Sequence, residues 1–100
     1  MNTVDVICGD TTWTVPSLGA VQRNQADASA AIREAKGILW HASQVIFERL
    51  GAAHISYGPR LEFEAEPSGP SRQTLTEAAV QPLRAHVAGL ETAYRRLWGV

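Results

Sequence analysis

Between residues 24 and 50 the apolar side chains Ile32, Ala35, Leu39, Ala42, Ile46 and Leu50 recur every three or four positions. That spacing lines one face of an α-helix. At 1.5 Å per residue the helix would be roughly 40 Å long. A compact body of 100 residues has a radius of gyration of about 13 Å, and hence a diameter on the order of 35 Å. A straight helix would therefore outrun its own domain, and something else must cover the excess. Ile38 and Val45 widen the apolar stripe, and Trp40 and Phe47 carry it onto the flanks. Asn24 followed by Asp27 resembles a capping-box start, and Gly51 directly after Leu50 suits a left-handed helix stop. Gly37 costs roughly 1 kcal/mol relative to Ala at mid-helix, a cost expected to reflect a close backbone approach or a bend.

The flanking segments have a different period. Val4, Val6 and Cys8 alternate with Asp5 and Ile7 before the turn residues Gly9-Asp10-Thr11-Thr12, and Trp13-Thr14-Val15 follow. This reads as a hairpin with Val4, Val6, Trp13 and Val15 facing inward, ended by Pro16 and by Ser17 as a turn or cap. Residues 53–57 and 60–66 read as further strands around Gly58-Pro59, with Leu61, Phe63 and Ala65 opposite Glu62, Glu64 and Glu66. Residues 67–73 form an internal loop, opened by Pro67-Ser68-Gly69-Pro70-Ser71.

A second helical stripe runs through Leu75, Ala79, Leu83, Val87, Leu90, Tyr94 and Leu97, with Thr74 and Glu77 as its capping box. Pro82 should kink this helix or divide it. The expected fold is a single α+β domain over residues 1–100. A small antiparallel sheet, the N-terminal hairpin plus one or two further strands, packs on two long amphipathic helices in the order ββαβ(β)α.

Composition narrows the function classes. Apolar residues make up 45% and charged residues 19%, with a net charge of -1, so no global field draws the chain onto nucleic acid or an anionic membrane. The balance is uneven. Residues 1–66 hold five basic and eight acidic groups, whereas Arg72, Arg84, Arg95 and Arg96 face only Glu77 and Glu91 in the remainder. Cys8 stands alone, which suits a reducing, cytoplasmic home. Met1 to Asp5 lack a basic stretch leading into an apolar one, and no run approaches a membrane span.

Motifs for chemistry are sparse. Cys8, His41, His54 and His86 stand at no metal-site spacing, so no metal and no cofactor is expected. The glycines never form a phosphate-cradling run. Asp10 with Glu62, Glu64 or Glu66 offers paired carboxylates only if the fold brings them together. An acid beside Cys8 would oppose thiolate formation. By contrast Trp40, Phe47, Tyr94, Arg95, Arg96 and Trp98 include the types enriched at interface hot spots.

The reading is therefore a non-enzymatic interaction module, an adaptor, assembly factor or inhibitor docking on a larger protein or forming a homodimer, with those six residues at the interface. Two other classes compete with it. One is a small enzyme or ligand-binding domain with a pocket between sheet and helices, using Cys8, Asp10, Tyr57 or a histidine. The other is nucleic-acid binding through the basic and aromatic end of the last helix.

Overall fold

The computed structural model describes residues 2–56 and 71–99. Strands β1 (Thr3–Cys8) and β2 (Thr11–Pro16) form an antiparallel hairpin. A one-turn helix α1 (Leu18–Val21) follows, then α2 (Gln25–Ser56) and α3 (Arg72–Trp98). This is an α+β arrangement in which the hairpin lies on two long helices. Its principal extents are 54 × 22 × 15 Å and its radius of gyration is 16.8 Å. It is thus a rod beside the roughly 13 Å of a compact chain of this length.

The hairpin turns on two residues. Gly9 has φ 65°, and no other residue type has a positive φ among the described residues, so Asp10 does not. That pattern matches a type II′ turn, whose twist suits paired strands. Thr11 therefore opens β2 opposite Cys8, rather than belonging to the turn. The register sets Val6 against Trp13 and Val4 against Val15. On the inner face Cys8 and Val15 are fully buried, Val6 and Trp13 are half-buried, and Val4 at the open end remains exposed. The outer face is polar apart from Ile7 and the buried Pro16 at the strand end, and Thr14 Oγ1 donates across it to Asp5 at 2.9 Å.

Helix α2 begins as its sequence demands. The Asn24 side chain accepts from the Asp27 amide at 2.8 Å and donates to the Asp27 carboxylate at 2.9 Å. Its end differs from expectation. The helix passes through Gly51 to Ser56, so residues 53–56 are helical and not a strand. Gly51 lacks the positive φ that a left-handed stop requires. Its missing Cβ has another use, because a methyl group there would collide with the guanidinium of Arg72. That guanidinium lies 3.7 Å from the centre of the Phe47 ring, and Arg72 Nε donates to the Phe47 carbonyl at 2.6 Å. In an α-helix the residue four positions on overlies this carbonyl, so glycine at position 51 opens it to the arginine. The strand expected over residues 60–66, and residue 57 of the other, lie outside the described residues.

Helix α3 starts three residues earlier than the Thr74 signal suggests. Ser71 is the N-cap and accepts from the Thr74 amide at 3.1 Å, so Arg72 and Gln73 are helical. The helix runs unbroken through Pro82. The Ala78 carbonyl that loses its donor there belongs to an exposed residue, which water can reach. Gly99 closes the helix in the left-handed conformation, its amide donating to the Arg95 carbonyl.

Helices α2 and α3 run antiparallel, with Phe47 near Arg72 and Lys36 near Glu91. Two buried clusters lie along their seam. One joins Cys8 and Val15 of the hairpin to Ala42, Ile46, Val80 and Leu83. The other joins Val21 of α1 to Ala28, Ile32, Ala35, Val87 and Leu90. Half-buried Leu39 packs against both. His86 ties hairpin to helix, its Nε2 lying 2.6 Å from the Pro16 carbonyl. A carbonyl only accepts, so Nε2 carries the proton.

Two consequences are measurable by chemical denaturation. A Cβ at Gly37 meets nothing within 4 Å, so no close approach among the described residues explains that glycine. Gly37→Ala should stabilise the fold by about 0.5–1 kcal/mol. Gly51→Ala should give no such gain, because the helix preference is offset by displacing Arg72. Separately, His86→Leu should cost about 1–3 kcal/mol by leaving the Pro16 carbonyl unpaired, and His86→Gln should recover part of the loss.

Candidate docking surface

The hairpin covers only one side of the helix pair. It reaches α2 through Trp13, edge-on to His41 with ring centroids 5.7 Å apart, and through Asp10, 3.2 Å from Arg49. His41 and Arg49 each lie about 140° around the helix from Lys36, at 100° per residue. Lys36 therefore marks the side turned away from the hairpin. There its Nζ meets Glu91 Oε2 at 3.1 Å and ties α2 to α3.

Around this ion pair the two helices leave a groove of about 520 Å³. Helix α2 lines it with Ser29, Ile32, Arg33 and Lys36, and α3 with Glu91, Tyr94 and Arg95. Ile32 is buried and gives an apolar floor. The half-buried Tyr94 packs against the second core cluster, and its hydroxyl accepts from Gln25 at 3.3 Å. Arg33 and Arg95 are exposed, with no carboxylate within 4 Å among the described residues. Three cations thus face one carboxylate, and that carboxylate is already paired with Lys36.

The same flank continues along α2. Trp40 stands one turn beyond Lys36 and Phe47 two turns beyond Trp40. Trp40 is 67% exposed, the most open of the large hydrophobic side chains described. Phe47 is half-buried, with one face occupied by Arg72.

The six interface residues expected from sequence thus divide. Tyr94 and Arg95 enter the groove, and Trp40 and Phe47 extend its flank. Arg96 is exposed but turned about 100° from Arg95, off the groove. Trp98 is a structural residue: it packs against the second core cluster and its Nε1 donates to the Val21 carbonyl at 3.1 Å. Ser29, Ile32, Arg33, Lys36 and Glu91 were not among the six. Their available signal was the run Ser29, Arg33, Lys36 and Trp40, at helical spacing beside the core stripe.

The groups considered for chemistry are dispersed. Cys8 is 1% exposed inside the first cluster. Asp10 is held at the turn by Arg49 and Thr11. His41 and His86 are engaged with Trp13 and Pro16. The interval between hairpin and helices is filled by Cys8, Val15, Ile46 and Leu83. Tyr57, Glu62, Glu64, Glu66 and the His54 side chain lie outside the described residues. Among those described, no three His, Cys, Asp or Glu side chains gather to hold a metal ion, and no helix is long and apolar enough to cross a membrane. Comparison with protein-family models, curated proteins and solved structures finds no match.

The tryptophans should separate experimentally. Trp40→Ser should change stability by no more than about 0.5 kcal/mol, while removing most of the iodide-quenchable fluorescence. Trp98→Phe should cost about 1–3 kcal/mol by stranding the Val21 carbonyl, leaving the quenchable fraction in place.

Proposed function

We propose that this protein is a non-enzymatic docking module, a small adaptor, assembly factor or inhibitor that binds a larger protein through the side of α2 and α3 facing away from the hairpin. The observation that carries the reading is Trp40. A tryptophan is costly to leave in water, since full burial of a large apolar side chain is worth about 1.5–3 kcal/mol. Trp40 is nevertheless the side chain most open to solvent among the large hydrophobics described, while Trp13 and Trp98 are held by the fold. Farther along the same flank, toward the start of α2, the groove holds Tyr94 and two arginines without ion-pair partners among the described residues. Trp, Tyr and Arg are the residues that dominate interface energetics when a partner desolvates them. The single buried cysteine is in keeping with a reducing compartment such as the cytoplasm.

Nucleic-acid binding by α3 has less support. Arg84 is taken up by Glu77 at 2.9 Å, and Arg95 and Arg96 point to different flanks, so the basic end presents no continuous strip for a phosphate backbone.

Affinity capture from the native host, run in parallel with the wild-type chain and with Trp40→Ser plus Arg33→Glu, tests the proposal. Both substituted residues are exposed, so the variant should keep the wild-type melting temperature. A protein retained by the wild type and lost from the folded variant is the expected outcome. Identical capture by both would refute the assignment of this surface.

A further inference from the structure

The partner's chemistry can be read from the groove, on the condition that the docking reading above is right. We propose that the groove between α2 and α3 receives an acidic amphipathic helix of another protein. Its apolar side chains would rest on Ile32 and Tyr94, and its carboxylates would meet Arg33 and Arg95.

The chain is net negative, yet the groove brings Arg33, Lys36 and Arg95 together against Glu91 alone. The Lys36–Glu91 pair is internally compensated, which leaves the two arginines as the unmatched charges, one on each wall. Guanidinium groups favour carboxylates through bidentate hydrogen bonds. An occupant with carboxylates along both edges of an apolar stripe satisfies both walls at once.

The same charges argue against a second copy of this chain. In a two-fold dimer each patch meets itself. Groove on groove would set Arg33 and Arg95 near their own duplicates, and like charges at an interface disfavour pairing.

Backbone chemistry then selects a helix over an extended strand. The groove is walled by two helices, whose amides and carbonyls are already used within each helix. It offers no free sheet edge, so a strand laid there would have its own backbone groups unpaired. A helix brings its backbone bonds with it and docks by side chains, completing a three-helix packing. From Ser29 to Phe47 the flank measures about 27 Å at 1.5 Å per residue, room for a helix of about 18 residues.

The test uses the full chain and a fluorescein-labelled helical peptide of about 18 residues, with Leu at three- and four-residue spacing and Glu on either side. Its comparators are the same peptide with Gln replacing Glu, and an oligothymidylate of similar length. The Glu peptide should bind about tenfold more tightly than the Gln peptide, and lose that advantage as salt screens the charges. Arg33→Glu plus Arg95→Glu should abolish the preference without altering the far-ultraviolet circular dichroism. Glu91→Gln should tighten binding severalfold by removing the groove's own anion, an effect that a merely structural Lys36–Glu91 pair would not produce.

Equal binding of Glu and Gln peptides would overturn the acidic assignment, as would equal binding of the oligothymidylate. A dimer in sedimentation that Arg33→Glu dissociates would overturn it in favour of self-association. If no peptide binds but host capture still depends on Trp40, the acidic helix is wrong and the docking reading stands. If both fail, the docking reading falls with it.

Discussion

The seam between α2 and α3 is the constraint on which the other features rest. Helix α2 contributes Ala28, Ala35 and Ala42, all completely buried, and α3 answers with Val80, Leu83, Val87 and Leu90. Small residues on one helix against larger ones on the other allow close approach without voids. Neither helix would be stable alone to its full length in water, because most helical stability in proteins comes from packing an apolar face. Once the seam is fixed, hairpin and α1 act as covers for its two ends: the hairpin closes one buried cluster and Val21 the other. Each cover is also pinned by a polar contact, His86 to the Pro16 carbonyl and Trp98 to the Val21 carbonyl.

An elongated seam determines what is left uncovered. A rod of 54 × 22 × 15 Å carries more surface per residue than a sphere of the same volume, so a short hairpin cannot enclose it. The side facing away from the hairpin therefore exposes whatever the helices place there. Trp40 follows from this geometry. Its position, about 125° from the centre of the buried stripe at 100° per residue, is beyond the reach of the hairpin and off the seam.

How far the sequence disclosed this depends on whether each signal was local. The Asn24 cap, the hairpin with Val6 and Trp13 on one face, and both apolar stripes depend on neighbours within a turn or a strand, and they appear as read except at the two ends of α3, where Leu75 and Leu97 are exposed. Gly51 did not, because a glycine after an apolar run signals equally a stop or a close approach. Arg72, 21 positions later, decides between them. The start of α3 was displaced by two competing caps. Ser71 takes the cap and Thr74 supplies the amide it accepts from, so a hydroxyl with Glu77 three residues on was a decoy. Trp40 and Trp98 looked alike as tail or flank aromatics, and only the placement of α1 against the end of α3 makes Trp98 half-buried and gives its Nε1 the Val21 carbonyl. The groove was the least legible feature. Its walls are 55 positions apart at Lys36 and Glu91, and no pattern in either helix fixes their mutual register.

The Lys36–Glu91 pair does more for the charge pattern of this surface than for stability. Its side chains are 55% and 36% exposed, and ion pairs in such surroundings contribute roughly 0–1 kcal/mol. That is too little to hold together helices already joined through four buried aliphatic side chains of α3. Its larger effect is on the pattern of charge. By neutralising Lys36 at the middle of the groove it leaves positive charge concentrated at Arg33 and Arg95, on opposite walls. A net-negative chain can thus present a local cationic surface, because charges farther away than about 8–10 Å are screened at physiological ionic strength. The electrostatic potential at this groove is governed by the few groups that line it, and the overall charge of the chain has little influence on it.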